Sequence, residues 1–291
     1  YPDFRRIMLD KNNQEEIFSV QYLKPYRQHG WDSWNMMDSR SRQSASAICP
    51  LQDLVGAFEM KNGKSIDDPT SGYDPSHPYL NRDPRLQESV VVNGSTYGFQ
   101  NLPVYTYIGG VDGIDNPYET VTGYYLRKGT DETNQDYYGN IGSDQNWIEL
   151  RFAEVLLNYA EAKNQALSSP DQSVYDAVER IRKRAGLDPY QLPTGLSKAQ
   201  MRDRIRHERY VELAFERKRY WDLKRWKTAV GRLNGKEFHG MFITKHNDGH
   251  YTYEIKPVDA KPCVFTDKMY FMPIPQSEID KNPNLVQNTG W

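Results

Sequence analysis

The stretch that decides the fold is LSKAQMRDRIRHERYVELAFERKRYWDLKRW, residues 196–226, where charged residues fall inside an apolar helical stripe. At about 100° per residue, Met201, Ile205, Phe215, Leu223 and Trp226 share one sector. Glu208, Glu212, Glu216 and Arg219 fall in that same sector, while Asp203, His207, Lys218 and Arg225 take the solvent side. The spacing predicts one long helix from Leu196 to Trp226. A capping box between Ser197 and Gln200 and a staple of Leu196 on Met201 open it. An inward carboxylate is costly unless it is paired. The pattern is therefore a satisfied charge ladder or a reactive site, and that choice separates a binding scaffold from an enzyme.

Outward from this stretch, Trp147 to Leu167 is apolar around almost its whole circumference, with one polar stripe of Arg151, Glu154, Asn158, Glu161 and Gln165. This predicts a helix packed on two sides, as in stacked helix pairs. A second helix is expected with Ser169 as cap and Pro170 at its start. Its apolar face is Val174, Ala177, Val178, Ile181 and Ala185, and Gly186 with Pro189 ends it. Roughly the first 140 residues are loop-rich, with short extended runs such as Glu16 to Tyr22. A hairpin is expected where Ser89–Val92 and Ser95–Phe99 flank Asn93-Gly94. The tail from Tyr270 to Trp291 carries Pro273, Pro275 and Pro283, so it reads as extended with a short helical turn at Ser277–Lys281.

The chain has 291 residues and a net charge of −2, which excludes recruitment of nucleic acid or an anionic membrane by charge alone. No apolar run reaches the roughly 18 residues that a membrane helix needs. The opening Tyr1-Pro2-Asp3 has neither an initiator Met nor a signal peptide, so the chain is expected to be processed or cut from something longer. Cys49 and Cys263 could form one bridge but read as two isolated thiols, and no apolar stretch precedes Cys49 as lipid modification would require. Tyrosine is abundant, at 21 against 10 Phe, which suits wet recognition surfaces as well as ordinary packing.

Glu208 and Glu212, one helical turn apart, could meet the separation of about 5 Å used by retaining glycosidases. Arginines three or four residues from these carboxylates favour ion pairs instead, and an Arg neighbour keeps a carboxyl ionised. His207-Glu208 lacks the second His of a zinc motif, since position 211 is Val. The acidic run Asp112-Gly113-Ile114-Asp115-Asn116 reads as a solvated turn, without the spacing of an EF-hand. Nucleophile elbows and phosphate loops are absent from the sequence.

The binding candidates are stronger. Tyr26, Gln28, His29, Trp31, Asp32, Trp34 and Asn35 share a loop after a predicted strand. Sugars need a flat aromatic face for their C–H surfaces and amide or carboxylate partners for their hydroxyls, and this loop supplies both. The alternative is that both Trp are buried anchors.

Linked motifs in order along the chain resemble the SusD/RagB family, surface glycan-binding lipoproteins of gut-type Gram-negative bacteria. They are Glu16–Tyr22, Asn81-Arg82-Asp83-Pro84-Arg85-Leu86, Leu150–Ala162, Arg182–Leu187, His207–Glu216 with Arg219–Trp226, and Pro273–Trp291. The resemblance implies a mostly α fold in which tetratricopeptide-like helix pairs support a long loop-rich region with small β-hairpins. Residues 1–145 would form the loop-rich ligand side, 146–235 the helical scaffold and 236–291 an extended C-terminal segment. It also implies a non-enzymatic protein without cofactor or metal, anchored at the outer membrane by an N-terminal lipid that this chain lacks. Such a protein passes an oligosaccharide to a SusC-like TonB-dependent transporter. Family members are usually about twice as long, so the chain reads as a C-terminal half.

On this reading Arg151, Glu154, Glu208, Arg209, Glu212, Glu216 and Arg219 form a structural charge ladder, and Tyr26, His29, Trp31, Asp32, Trp34 and Asn35 are the ligand candidates. Two rivals stand beside it. One is a glycoside hydrolase using Glu208 and Glu212; the other is a helical-repeat scaffold that meets a protein through outward-facing Tyr210 and Trp221.

Overall fold

The computed structural model describes residues 1–41, 46–134 and 142–291. Strand β1 (Glu16–Val20) precedes three short helices, α1 (Trp31–Asn35), α2 (Asp38–Ser41) and α3 (Gln52–Ala57). Helix α4 (Arg85–Ser89) leads into β2 (Val90–Val91), β3 (Thr96–Tyr97), β4 (Leu102–Pro103), β5 (Tyr125–Leu126) and β6 (Trp147–Arg151). The longer helices follow: α5 (Phe152–Ala166), α6 (Gln172–Ala185) and α7 (Lys198–Glu212), then the short α8 (Arg219–Arg225) and α9 (Ala229–Leu233). Strands β7 (His239–Lys245) and β8 (Tyr251–Pro257) and helix α10 (Gln276–Lys281) complete the order. The fold is helix-rich with small antiparallel strand pairs, and no described helix is long and apolar enough to cross a membrane.

Local signals set the starts of α6 and α7 and the stop of α6. Ser197 and Gln200 form the reciprocal capping box of α7. Helix α6 ends at Gly186, whose φ of 83° is the left-handed conformation a C-terminal glycine supplies. Its N-cap is Asp171 instead of the expected Ser169: the Asp171 carboxylate accepts from the Ser173 and Val174 backbone amides. The expected face of α6 is buried in full. Val174, Ala177 and Val178 pack with Ala160, Met201 and Ile205, which locks α6 and α7 against α5.

Three expectations are corrected. The predicted helix over Leu196–Trp226 ends at Glu212, because the Glu212 carbonyl accepts from Lys128 Nζ and Arg151 Nη2, both at 2.8 Å. Buried cations thus satisfy a carbonyl that the next turn would otherwise have taken. Phe215 and Arg217 then adopt φ of 65° and 60° before α8 begins. Residues Trp147–Arg151 form a strand ahead of α5, since long-range pairing with β1, in the register Glu16↔Arg151 to Val20↔Trp147, overrides the helical periodicity. The hairpin across Asn93-Gly94 does not form. The turn itself is made, with Ser95 N donating to Val92 O at 3.0 Å. Only Gly94 takes a positive φ there, however, and the twist-matched two-residue hairpin turns both need that conformation at the first central residue, here Asn93. The arms diverge, so that β2 pairs with β5 and β3 with β4.

The largest core cluster crosses all three expected divisions, joining Leu54, Phe58 and Leu86 to Val211, Ala214, Met241 and Ile243. The region 236–291, expected to be extended, also holds the seven-pair β7–β8 hairpin. Its short helix α10 lies where the sequence placed one. Among the described residues Val155 and Tyr159 of α5 stay exposed, against the expected packing on two sides.

Candidate functional site

The inward carboxylates of α7 meet cations that arrive from distant segments. Arg85 Nη1 donates to Glu208 Oε1 at 2.6 Å and to Glu212 Oε2 at 2.9 Å, while Asp83 holds Arg85 Nη2 at 2.7 Å. Arg151 Nη1 donates to Glu212 Oε1 and its Nε to Glu216 Oε2, both at 2.7 Å. Lys128 Nζ reaches Glu216 Oε1 at 2.6 Å, and Arg184 also pairs with Glu212. Arg182 links Glu59 to Glu208, and Glu15 meets Arg151 at 3.1 Å.

Burial alone would raise the Glu212 carboxyl, but Arg184, Arg151, Arg85 and Lys128 together hold it well below the usual carboxylate range. Glu216 is likewise lowered, burial being outweighed by Arg151 and Lys128. For Lys128 burial wins over Glu216, and its ammonium falls to about 8. Two carboxylates bonded to one guanidinium nitrogen leave no room between them for a sugar, and the Glu212 carboxyl, held ionised, is a poor proton donor. Glu208 and Glu212 therefore cannot work as the acid and base of a glycoside hydrolase.

The expected ladder is in fact two networks. Arg209, one residue from Glu208 and about 100° around the helix, faces the other way. It grips Asp222 at 3.0 and 3.1 Å and Asn158 at 2.7 Å, with Glu154 at 3.8 Å beside Lys218. Arg219 joins neither network: among the described residues it makes no ion pair, and its guanidinium lies 4.0 Å over the Tyr210 ring. The break after Glu212 turns it away from the carboxylates it would have faced on a continuous helix. Tyr210, expected to face outward, packs against the main core cluster, whereas Trp221 is exposed. Asp112, expected in a solvated turn, is wholly buried and accepts from Ser39 Oγ at 2.6 Å and Tyr105 N at 2.7 Å.

The aromatic loop divides as well. Asp32 is buried and accepts from Asp131 N at 3.0 Å and from Asn134 Nδ2 and Gln145 Nε2 at 2.9 Å each. Burial raises its carboxyl despite those donors. Asn35 is buried too and donates to Trp31 O at 2.8 Å, so neither residue faces a surface that a ligand reaches. His29 is held by Gln145 O at 2.9 Å and by the Trp31 amide at 3.2 Å. Trp31 packs on Trp147, ring centroids 5.3 Å apart, beside a cavity of about 20 Å³, room for a single water. Tyr26 and Trp34 are the open pair, 86% and 62% exposed. The loop thus presents two aromatic faces on a polar foundation.

A second aromatic feature was invisible in the sequence. Tyr105, Tyr107, Tyr251, Tyr253 and Tyr79 form a continuous band, with successive centroids 5.8, 5.8, 6.3 and 5.9 Å apart. Three separate segments contribute to it. The sequence trace of it is the alternate spacing of Tyr251 and Tyr253 on one face of β8 and of Tyr105 and Tyr107.

Comparison with known proteins places this geometry. A SusD-like protein of Bacteroides fragilis superposes with a TM-score of 0.80 at 29% identity, covering 99% of this chain and 57% of that one. A SusD-like carbohydrate-binding protein of the same species gives 0.76 at 29% identity, covering 94% and 55%. SusD-like protein P2 of Formosa agariphila is 32% identical over 157 residues, which is 52% of this chain and 27% of that protein. The chain thus spans little more than half the length of these solved structures. The SusD family model matches residues 14–291, and the chain belongs to the SusD family.

Proposed function

We propose that the chain is part of a non-catalytic oligosaccharide-capture protein, working at the outer-membrane surface beside a SusC-like TonB-dependent transporter and held there by a lipid anchor. The observation that carries this reading is the 29% identity, over 94% of the chain, to a SusD-like carbohydrate-binding protein. The segment of residues 22–35, a loop that runs into α1, is the contact: Tyr26 on the loop and Trp34 on α1 stack on sugar faces, while His29, Trp31, Asp32 and Asn35 hold the segment in shape. An aromatic ring on a fixed loop loses little freedom on binding, which suits repeated capture and release.

The test is a binding screen of host, plant and microbial oligosaccharides by calorimetry, with products checked for cleavage. Trp34→Ala is expected to weaken the retained glycan by about thirtyfold, as loss of a central aromatic anchor does, with the melting temperature unchanged. Undiminished binding in that variant would move the contact to the tyrosine band. Cleavage of any glycan would overturn the non-catalytic reading.

A further inference from the structure

Helices α3, α7, α8 and α9 enclose a groove of about 400 Å³ whose walls carry Arg206, Arg219 and Arg232. Among the described residues none of these three guanidiniums makes an ion pair, although arginine is the side chain best suited to make one. Two sit over rings: Arg206 lies 4.6 Å over Trp226 and Arg219 lies 4.0 Å over Tyr210. Stacking fixes a guanidinium plane and leaves its N–H edge free to donate. The Arg206 Nε is buried without any hydrogen-bond partner.

The acids of the groove are engaged elsewhere. Asp53 accepts from the His239 backbone at 2.8 Å, and Asp203 pairs with Arg202. Burial works against the charge on Arg206, and the Arg202 charge adds to that. Burial also weighs on Arg219, together with repulsion from Arg232 and Arg206. The groove is a concave recess in which three arginines outnumber two carboxylates, Asp53 and Asp203, and those carboxylates are bonded to other partners. Its volume suits one or two sugar rings.

We propose that this groove binds an oxyanion substituent, a carboxylate or a sulfate ester, of an acidic oligosaccharide. The inference rests on the oligosaccharide reading above and narrows it to anionic glycans. Carboxylates and sulfate esters each present a pair of oxygens that matches the paired N–H edge of arginine, and an arginine already seated on a ring has less freedom to lose on meeting them.

The test compares an oligogalacturonate, its methyl-esterified neutral counterpart and a sulfated galactan oligomer, by calorimetry on the full chain. The acidic oligomers should bind at least about tenfold tighter than the ester, a preference that shrinks as salt rises. Arg206→Gln with Arg219→Gln should abolish the preference and leave affinity for the ester in place. Arg232→Gln, at an exposed position that supports no core contact, should reduce the preference several-fold without altering the melting temperature. Preference for the carboxylated over the sulfated oligomer, or the reverse, identifies which oxyanion the groove takes. Equal binding of acidic and neutral oligomers, or a preference that survives loss of all three arginines, would overturn the inference and leave the oligosaccharide reading standing. If no glycan binds at all, both fail together.

Discussion

On one side of α7, Glu208 and Glu212 lie buried between Arg85, Arg151, Arg182 and Arg184, and every carboxylate there has a cation within hydrogen-bonding distance. On the other side Arg206, and Arg219 beyond the helix end, rest on aromatic rings and have no carboxylate partner among the described residues. The first side is sealed and close to electroneutral; the second is open and positive. One helix therefore carries a structural use of charge and a surface left available for something else. Charge density alone therefore does not separate a structural network from an open surface. What separates the two sides is whether the hydrogen-bonding capacity of the charges has been spent.

The sealed side should break most severely. Glu212→Ala removes the acceptor shared by Arg85, Arg151 and Arg184 and strands buried cations, at a cost of about 3–5 kcal/mol. Thermal or urea unfolding would show this as a large loss of stability, and an unchanged melting temperature would sink the structural role. Acid sharpens the same point. Glu212 and Glu216 titrate below the ordinary value of 4.5 in the folded chain, so below that pH the unfolded state binds more protons. Their contribution is fully present above about pH 5 and is lost as pH falls toward the folded values. Chemical denaturation from pH 6 to pH 3 should show a steep decline in stability, shallower in Glu212→Gln.

How much of this could be read from the sequence depends on how far apart the partners are. The capping box at Ser197 and Gln200, the stop at Gly186 and the buried face of α6 are local, and each lies where its residue pattern put it. The end of α7 was illegible, because Lys128 and Arg151, 84 and 61 residues away, take its last carbonyl. Periodicity exposed the inward carboxylates of α7. It was silent about Arg85, Lys128, Glu15 and Glu59, which join them only through tertiary contacts. In the aromatic loop, Trp31 and Trp34 look alike in sequence. Trp147, more than a hundred residues on, is what turns one of them into a packing residue.

The open side should break least. Arg219→Gln removes a stacked cation without orphaning a carboxylate, so the loss should be about 1 kcal/mol, the scale of a partly exposed cation–π contact. The substitution also relieves repulsion from Arg206 and Arg232, which offsets part of that loss. Measured beside Glu212→Ala under the same conditions, the two values rank the two sides directly. A loss as large as that of Glu212→Ala would mean that Arg219 has a buried charge partner after all, and the contrast between sealed and open faces would collapse. A small loss, with the core network intact, leaves the arginines of the groove free for an external anion, because a residue that contributes little to folding and keeps its donors unspent has capacity left for a ligand.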